Sequence, residues 1–241
     1  RYPTQCVADV VAALARYVEL PAGCKLMLGN GSDELIALLA LACDLPGASV
    51  LAPVPGFVMY EMSARLQGLR FVDVPLAADF ELDEAAMLAA IEQHRPAITW
   101  LAYPNNPSAN LWDDAVIARI VAAVGAQQGL VVIDEAYQPF ASRTWLPRLA
   151  LPGHEHVLVM RTLSKFGLAG VRLGYLAGAA ALALQSGEPP ALLRERVTSK
   201  GGTTHAAVTA LDADGVRAAL GRAIGAAHRR AQELGDELGR G

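Results

Sequence analysis

The sequence predicts an α/β fold: a mainly parallel sheet with helices on both faces, followed by an all-α segment. Short runs of Val, Ile and Leu alternate with segments of helical periodicity, a pattern typical of parallel strands covered by helices. This alternation continues to Gly178, after which the sequence becomes rich in alanine and has no candidate strand. We therefore predict one large α/β domain and a helical C-terminal segment.

Seven apolar runs are predicted as strands and four amphipathic segments as helices. The strands are 25–28, 49–52, 69–74, 97–102, 130–133, 157–160 and 171–177. The helices are 32–43, 57–67, 83–93 and 113–126. Each helix begins near a Ser, an Asp or a turn residue that can accept hydrogen bonds from the free N–H groups of the first turn. Beyond residue 178, Asp214 is expected to cap a further helix.

Composition excludes several functional classes. The 53% apolar content is enough for a globular core, and the net charge of −4 provides no basic field for nucleic acid or an anionic membrane. The longest apolar run, 35–43, is too short to span a bilayer. Cys6, Cys24 and Cys43 are odd in number and lack metal-ligand spacing, which favours reduced thiols and a cytoplasmic protein. No metal site is predicted.

Two residues near strand ends carry the strongest chemical signal. Asp134 ends the apolar run 130–133, and Lys165 follows the next strand, seven residues before Arg172. Open α/β sheets hold ligands at the carboxyl ends of their strands. A lysine amine, an aspartate for a pyridinium nitrogen and an arginine for a phosphate are the groups that pyridoxal phosphate requires. Taken alone, a surface lysine or a carboxylate that caps a loop remains an alternative for either residue.

Hydroxyl, guanidinium and backbone N–H groups suited to a phosphate lie near both ends of this pattern. Ser164 and Arg172 flank Lys165, and an arginine binds phosphate in bidentate fashion. Ser32 and Asp33 begin a predicted helix after a Gly-rich turn, where backbone N–H groups attract anions. Without its neighbours, that turn fits an ordinary capped loop better. A dinucleotide site is rejected there because the third glycine of the fingerprint is missing.

Three more side chains are candidates for contacts with a cofactor ring. Asn106 lies in a Pro-Asn-Asn-Pro turn, and its amide can donate a hydrogen bond to a phenolic oxygen, as can the hydroxyl of Tyr137. Tyr60 follows a Pro-Gly pair and can stack on a ring face. The alternatives are a common turn composition for Asn106 and a core aromatic for Tyr60.

In their order along the chain, these motifs make residues 1–178 resemble the fold-type I pyridoxal phosphate-dependent aminotransferases, and most specifically the histidinol-phosphate aminotransferases. The motifs are 1–3, 31–34, 55–60, 105–107, 134–137 and 161–172. The resemblance implies a PLP-dependent transaminase of histidine biosynthesis that uses histidinol phosphate and 2-oxoglutarate. Its partners would be a small-molecule amino donor, a 2-oxo acid and a second copy in a homodimer, with neither nucleic acid nor membrane.

The resemblance also implies a role for each matching residue. Lys165 would bind pyridoxal 5'-phosphate covalently and shuttle a proton, Asp134 would pair with the ring nitrogen, and Tyr137 completes the catalytic set. Asn106 and Tyr137 would contact the phenolic oxygen, while Tyr60 stacks on the ring. The full cofactor-binding set is Tyr2, Ser32, Asp33, Tyr60, Asn106, Asp134, Tyr137, Ser164, Lys165 and Arg172. Tyr2 would reach the cofactor of the neighbouring subunit.

The sequence departs from the family pattern at several points. Ser108-Ala109 stands where the family usually has Thr-Gly. The chain begins at Arg1 without a Met, which suggests that it starts inside a longer parent. The small C-terminal domain that should follow Gly178, with its arginine for the substrate carboxylate, is absent. We therefore interpret 1–178 as a partial aminotransferase large domain.

The segment 179–241 instead resembles the helical dimerisation domain of pyrroline-5-carboxylate reductase. In that family, the residues that match Ser199, Thr203 and Thr204 hold the substrate carboxylate. An ordinary Gly-Gly loop between two helices explains the same residues equally well. Two alternatives to a transaminase follow: a reductase-type module of proline biosynthesis that assembles dimers and binds substrate, or an inactive chimeric fragment.

Overall fold

The computed structural model describes residues 4–179, which lie in the first of two compact units, Arg1–Ser186. The helices are α1 Thr4–Tyr17, α2 Gly31–Ala42, α3 Val58–Leu66, α4 Glu84–His94 and α5 Asp114–Ala126. The strands are β1 Cys24–Asn30, β2 Ser49–Val54, β3 Arg70–Pro75, β4 Ile98–Ala102, β5 Leu130–Asp134, β6 Val157–Thr162 and β7 Leu173–Ala179. The predicted helical segment after residue 179, including the Asp214 helix, lies outside the described residues.

The seven strands form one sheet in the order β1-β7-β6-β5-β4-β2-β3. Strands β2 to β6 pair in parallel, whereas β7 is antiparallel to both β6 and β1. Because β1 pairs antiparallel to β7, it runs in the same direction as the five parallel strands. The predicted mainly parallel sheet is confirmed, and the carboxyl ends of β1, β4, β5 and β6 meet along one edge.

Each face of the sheet is covered by its own pair of helices. On one face, α2 and α3 pack against Val50, Trp100 and Val132. On the opposite face, α4 and α5 pack against residues such as Leu101 and Ile133. Alternate residues of a strand point to opposite faces, so nearly continuous apolar runs are needed to build both cores. That requirement explains why the strands could be recognised from short Val, Ile and Leu runs.

The helix starts follow the predicted capping chemistry on one face of the sheet. Asp83 Oδ1 accepts a hydrogen bond of 2.9 Å from the backbone N–H of Ala86 at the start of α4. At the start of α5, Asp113 Oδ1 accepts one of 2.6 Å from Ala115. A capping aspartate stabilises a helix by about 1 kcal/mol. Both helices begin one residue after the cap because the capping residue itself is not helical.

Two local features differ from the sequence predictions. Helix α1 was not predicted, and its first turn contains no acidic residue that would have marked a start. Strand β7 begins at Leu173 instead of residue 171, because Ala169–Val171 forms a 3-10 turn and Arg172 adopts the left-handed conformation at φ 52°. A residue in that conformation cannot continue a strand.

Candidate active site

A cleft opens where the carboxyl ends of β4, β5 and β6 meet the start of α2. It brings together nine of the ten predicted cofactor-binding residues: Ser32, Asp33, Tyr60, Asn106, Asp134, Tyr137, Ser164, Lys165 and Arg172. Phe57, Ala102, Pro104, Ala136 and Thr162 also line it and were not predicted. Four predicted site residues lie outside the described residues: Tyr2 of the cofactor-binding set, and Ser199, Thr203 and Thr204 of the reductase-type alternative.

Asp134 is the buried acid of the cleft, with an exposed fraction of 5%. Its Oδ1 accepts a hydrogen bond of 2.9 Å from the backbone N–H of Ala136, and its Oδ2 accepts one of 2.6 Å from the Tyr60 hydroxyl. Burial raises the pKa of Asp134 to about 6, although both hydrogen bonds favour the ionised form and oppose that rise. A cationic partner in the cleft would stabilise the ionised carboxylate.

Tyr60 has a contact that the sequence did not reveal. Its ring is buried and stacks on Trp100, with 4.6 Å between the ring centroids and 7° between the planes. Its hydroxyl donates to Asp134, which lies 74 residues further along the chain. Burial, followed by the Asp134 charge, raises the pKa of Tyr60 well above its usual value, so the hydroxyl stays a donor at neutral pH. Tyr60 is therefore both a core aromatic and a residue of the cleft.

Lys165 lies on a short 3-10 turn, Leu163–Phe166, directly after β6. Its side chain is exposed, and Nζ lies 4.8 Å from the centroid of the Tyr137 ring, within the range of a cation–π contact. Thr162 begins the turn: its Oγ1 accepts a hydrogen bond of 3.2 Å from the Ser164 backbone N–H and donates one of 3.1 Å to Ser164 Oγ. The turn thus presents Ser164 and Lys165 to the same cleft.

The anion-binding end of the cleft is formed by the start of α2 and by Arg172. Gly31 has φ 77°, in the left-handed region that favours glycine, and a Cβ there would lie 2.6 Å from Arg172 Nη2. Gly174 is constrained by backbone, because a Cβ there would lie 2.5 Å from the backbone carbon of Gly31. Asp33 Oδ2 is 3.8 Å from Arg172 Nη2, and both side chains are half exposed. Asp33 therefore places a carboxylate near the guanidinium at the start of the helix.

Asn106 reaches the cleft from a loop that its neighbour Asn105 holds in place. Asn105 is buried, and its Nδ2 donates hydrogen bonds of 2.7 Å to Ser108 Oγ and 3.3 Å to the Pro55 carbonyl. Ala109 adopts the left-handed conformation at φ 62°, which favours glycine. Ala109 thus stands where the glycine of the family pattern would relieve backbone strain. Neither Ser108 nor Ala109 lines the cleft.

Three other features of the described residues bear on function. Within residues 4–179, no three His, Cys, Asp or Glu side chains are grouped as a metal would require. Over the same range, every helix falls short of the length and apolar character of a bilayer span. Cys24 and Cys43 are free thiols, and burial raises the pKa of both.

A family model described as aminotransferase class I and II matches residues 1–240, and the chain belongs to that family. Among curated proteins, the histidinol-phosphate aminotransferase of Methylibium petroleiphilum is 74% identical over 182 residues, covering 76% of this chain and 48% of the relative. That of Acidovorax sp. is 63% identical over 225 residues, covering 91% and 61%. A crystal structure of histidinol-phosphate aminotransferase from Sinorhizobium meliloti in complex with pyridoxal-5'-phosphate matches with 31% identity and a TM-score of 0.65, covering 74% of this chain and 48% of that one.

These matches confirm the predicted family and its fold. They give no support to a reductase-type module. The chain spans about half the length of the first curated relatives that it matches. The Acidovorax match covers 91% of the chain and so extends beyond Gly178. The division into domains 1–178 and 179–241 stays a prediction.

Proposed function

We propose that this chain carries the cofactor site of a pyridoxal phosphate-dependent histidinol-phosphate aminotransferase. The strongest support is that one cleft contains Lys165 and the buried Asp134, and that Gly31 and Arg172 meet at its anion-binding end. The names of the relatives support histidinol phosphate as the amino donor, and 2-oxoglutarate as the acceptor is part of the same proposal. Histidine biosynthesis, a cytoplasmic location and a homodimer belong to the same proposal.

The donor groups of the cleft fit the cofactor at both of its ends. A phosphate dianion suits the free N–H groups of the α2 start, Ser32, Ser164 and the Arg172 guanidinium, which lies 3.8 Å from Asp33 Oδ2. A pyridinium nitrogen suits Asp134, because a cation would offset the cost of burying its ionised form. The side chains of the cleft therefore fit both the phosphate and the ring nitrogen of the cofactor.

The remaining residues bind the cofactor, orient it or move a proton in this proposal. The bound cofactor draws electrons from the substrate carbon next to its nitrogen. Lys165 Nζ attaches the cofactor and carries a proton to and from that carbon, while Asn106 and Tyr137 donate hydrogen bonds to the phenolic oxygen. Tyr60 contacts the ring face and orients Asp134. Tyr2 is proposed to reach the site of the second copy in the dimer.

Covalent attachment of the cofactor tests the proposal. The full chain is mixed with pyridoxal phosphate and reduced with borohydride, and the modified peptide is identified by mass spectrometry. We expect modification of the peptide that contains Lys165 and none in Lys165→Ala. Lys25, on β1, serves as the matched control, since Lys25→Ala should be modified like the wild type. Loss of colour on adding histidinol phosphate, but not an aromatic amino acid, would support the substrate. A wild type that stays unmodified at Lys165 would contradict the proposal.

A further inference from the structure

A buried polar cluster lies behind the cleft and consists of Glu135, Thr144, Trp145 and Arg161. Glu135 and Arg161 are 1% and 6% exposed. Arg161 Nε donates a hydrogen bond of 2.9 Å to Glu135 Oε2, and Nη2 lies 2.8 Å from the same oxygen. Strand alternation turns Asp134 towards the cleft and Glu135 towards the opposite face. The ion pair therefore joins the end of β5 to β6 without entering the cleft.

The cluster satisfies the polar groups of both charged residues. The Thr144 hydroxyl contacts both Glu135 oxygens at 2.9 Å and accepts a hydrogen bond of 2.8 Å from Arg161 Nη2. The Trp145 backbone N–H donates to Glu135 Oε1 at 2.5 Å. Tyr175 of β7 also contacts Arg161. A network with these links is rigid, because moving any member leaves a buried polar group without a partner.

The chain connects this network directly to two residues of the cleft. Glu135 follows Asp134, and Arg161 precedes Lys165 by four residues at the end of β6. The backbone supports the same joint: the Glu135 N–H donates to the Met160 carbonyl at 2.8 Å. A shift of either charged residue would therefore change the direction of the Asp134 carboxylate or the start of the Lys165 turn.

We propose that Glu135 and Arg161 are positioning residues, whose ion pair sets the orientation of Asp134 relative to Lys165. This inference rests on the proposed function, since it assigns both cleft residues to one cofactor. Stability alone is a weak reason for such a pair, because apolar residues of similar volume commonly replace a buried ion pair without loss. The pair lies where a small displacement changes cofactor geometry, and supporting groups of this kind tune the ligands that they hold.

The test is the double variant Glu135→Gln/Arg161→Met in the full chain. The Glu135→Gln change keeps an acceptor for the Trp145 N–H, and the methionine fills the arginine's volume without leaving a charge unpaired. We expect the cofactor-free variant to unfold close to the wild-type temperature. Its dissociation constant for pyridoxal phosphate should rise about tenfold, and the absorbance maximum of the bound cofactor should shift.

Ile91→Ala is the matched control, since Ile91 is buried on α4 and lies outside the cleft. It should lower the unfolding temperature and leave the cofactor's dissociation constant and absorbance unchanged. If the double variant binds cofactor like the wild type, the inference is overturned. If the wild type itself does not attach cofactor to Lys165, the proposed function fails instead.

Should the double variant not fold, Thr144→Val carries the test. It removes the hydroxyl that Glu135 and Arg161 share and leaves both charges paired. We expect weaker cofactor binding, by about threefold, because Glu135 and Arg161 each lose a hydrogen bond to the hydroxyl while their ion pair remains. Unchanged binding in Thr144→Val would count against the inference.

Discussion

Asp134 and Glu135 are adjacent buried carboxylates with opposite surroundings. Glu135 has an arginine, a hydroxyl and a backbone N–H within the protein, whereas Asp134 has one hydroxyl and one N–H and borders an open cleft. Burial raises the pKa of Asp134 to about 6. The charge of Glu135 is therefore compensated within the protein, whereas Asp134 can accept a cationic partner that enters the cleft.

Breaking the Glu135–Arg161 ion pair should have the largest effect on stability. Arg161→Met leaves the Glu135 carboxylate buried with only a hydroxyl and an N–H, and should lower the free energy of unfolding by about 4 kcal/mol. Urea denaturation of the cofactor-free protein measures it. The double variant Glu135→Gln/Arg161→Met should recover most of the loss, because no unpaired charge remains. A single variant as stable as the wild type would show that the pair contributes little.

Asp134→Asn should remove the pH dependence of stability that arises from the raised pKa of Asp134. Because the folded pKa of about 6 lies above the unfolded value of about 3.9, the folded state holds the extra proton between these values. Wild-type stability should therefore fall as pH rises from about 4 to 6, by about 3 kcal/mol, and then level off. Asp134→Asn should lack this fall and be more stable than the wild type at pH 7. Parallel curves for the two proteins would contradict the prediction.

Tyr60→Phe should have a smaller effect. The variant keeps the stack on Trp100 and removes one hydrogen bond to Asp134, which should cost about 1 kcal/mol at pH 7. Because that hydrogen bond favours the carboxylate, its loss should raise the pKa of Asp134 further, so the stability fall with pH extends to higher pH. The measurement is denaturation across the same pH range, with Phe57→Leu as a control for the aromatic contact beside Tyr60.

The smallest effect is expected at an exposed ion pair remote from both acids. Arg119 on α5 contacts Glu84 on α4 at 2.7 Å, and both side chains are accessible to solvent. Water screens such pairs, and many contribute nothing measurable to stability. Arg119→Met should leave the thermal midpoint and cofactor binding at wild-type values. A clear loss of stability would show that surface pairs are as important here as the buried cluster.

Local sequence was enough to locate most elements of the sheet and the acid and amine near its edge. Apolar runs ending at Asp134 and before Lys165 predicted strand ends, because a parallel strand needs apolar residues on both faces. Helix α1 was missed, and its first turn has no acidic residue to mark a start. Strand β7 was predicted to start too early because apolar periodicity does not reveal the left-handed conformation of Arg172.

The Tyr60–Asp134 hydrogen bond could not be predicted in the same way. Its partners are 74 residues apart and meet only because α3 packs on the face of the sheet that carries Trp100. The two acids illustrate a second limit: strand alternation indicates that neighbouring side chains point to opposite faces, but not which groups each carboxylate contacts. Distant pairings depend on packing, for which a single sequence carries no periodic signal.

The sequence by itself determined the strand and helix pattern, the chemical groups available at the sheet edge and the family to which the chain belongs. Tertiary structure alone decided that Glu135 pairs with Arg161, that Tyr60 donates to Asp134 and that burial raises the pKa of Asp134 to about 6. The physical reason is that periodicity and propensity act between near neighbours, whereas desolvation and hydrogen-bond partners depend on which distant segments exclude water together.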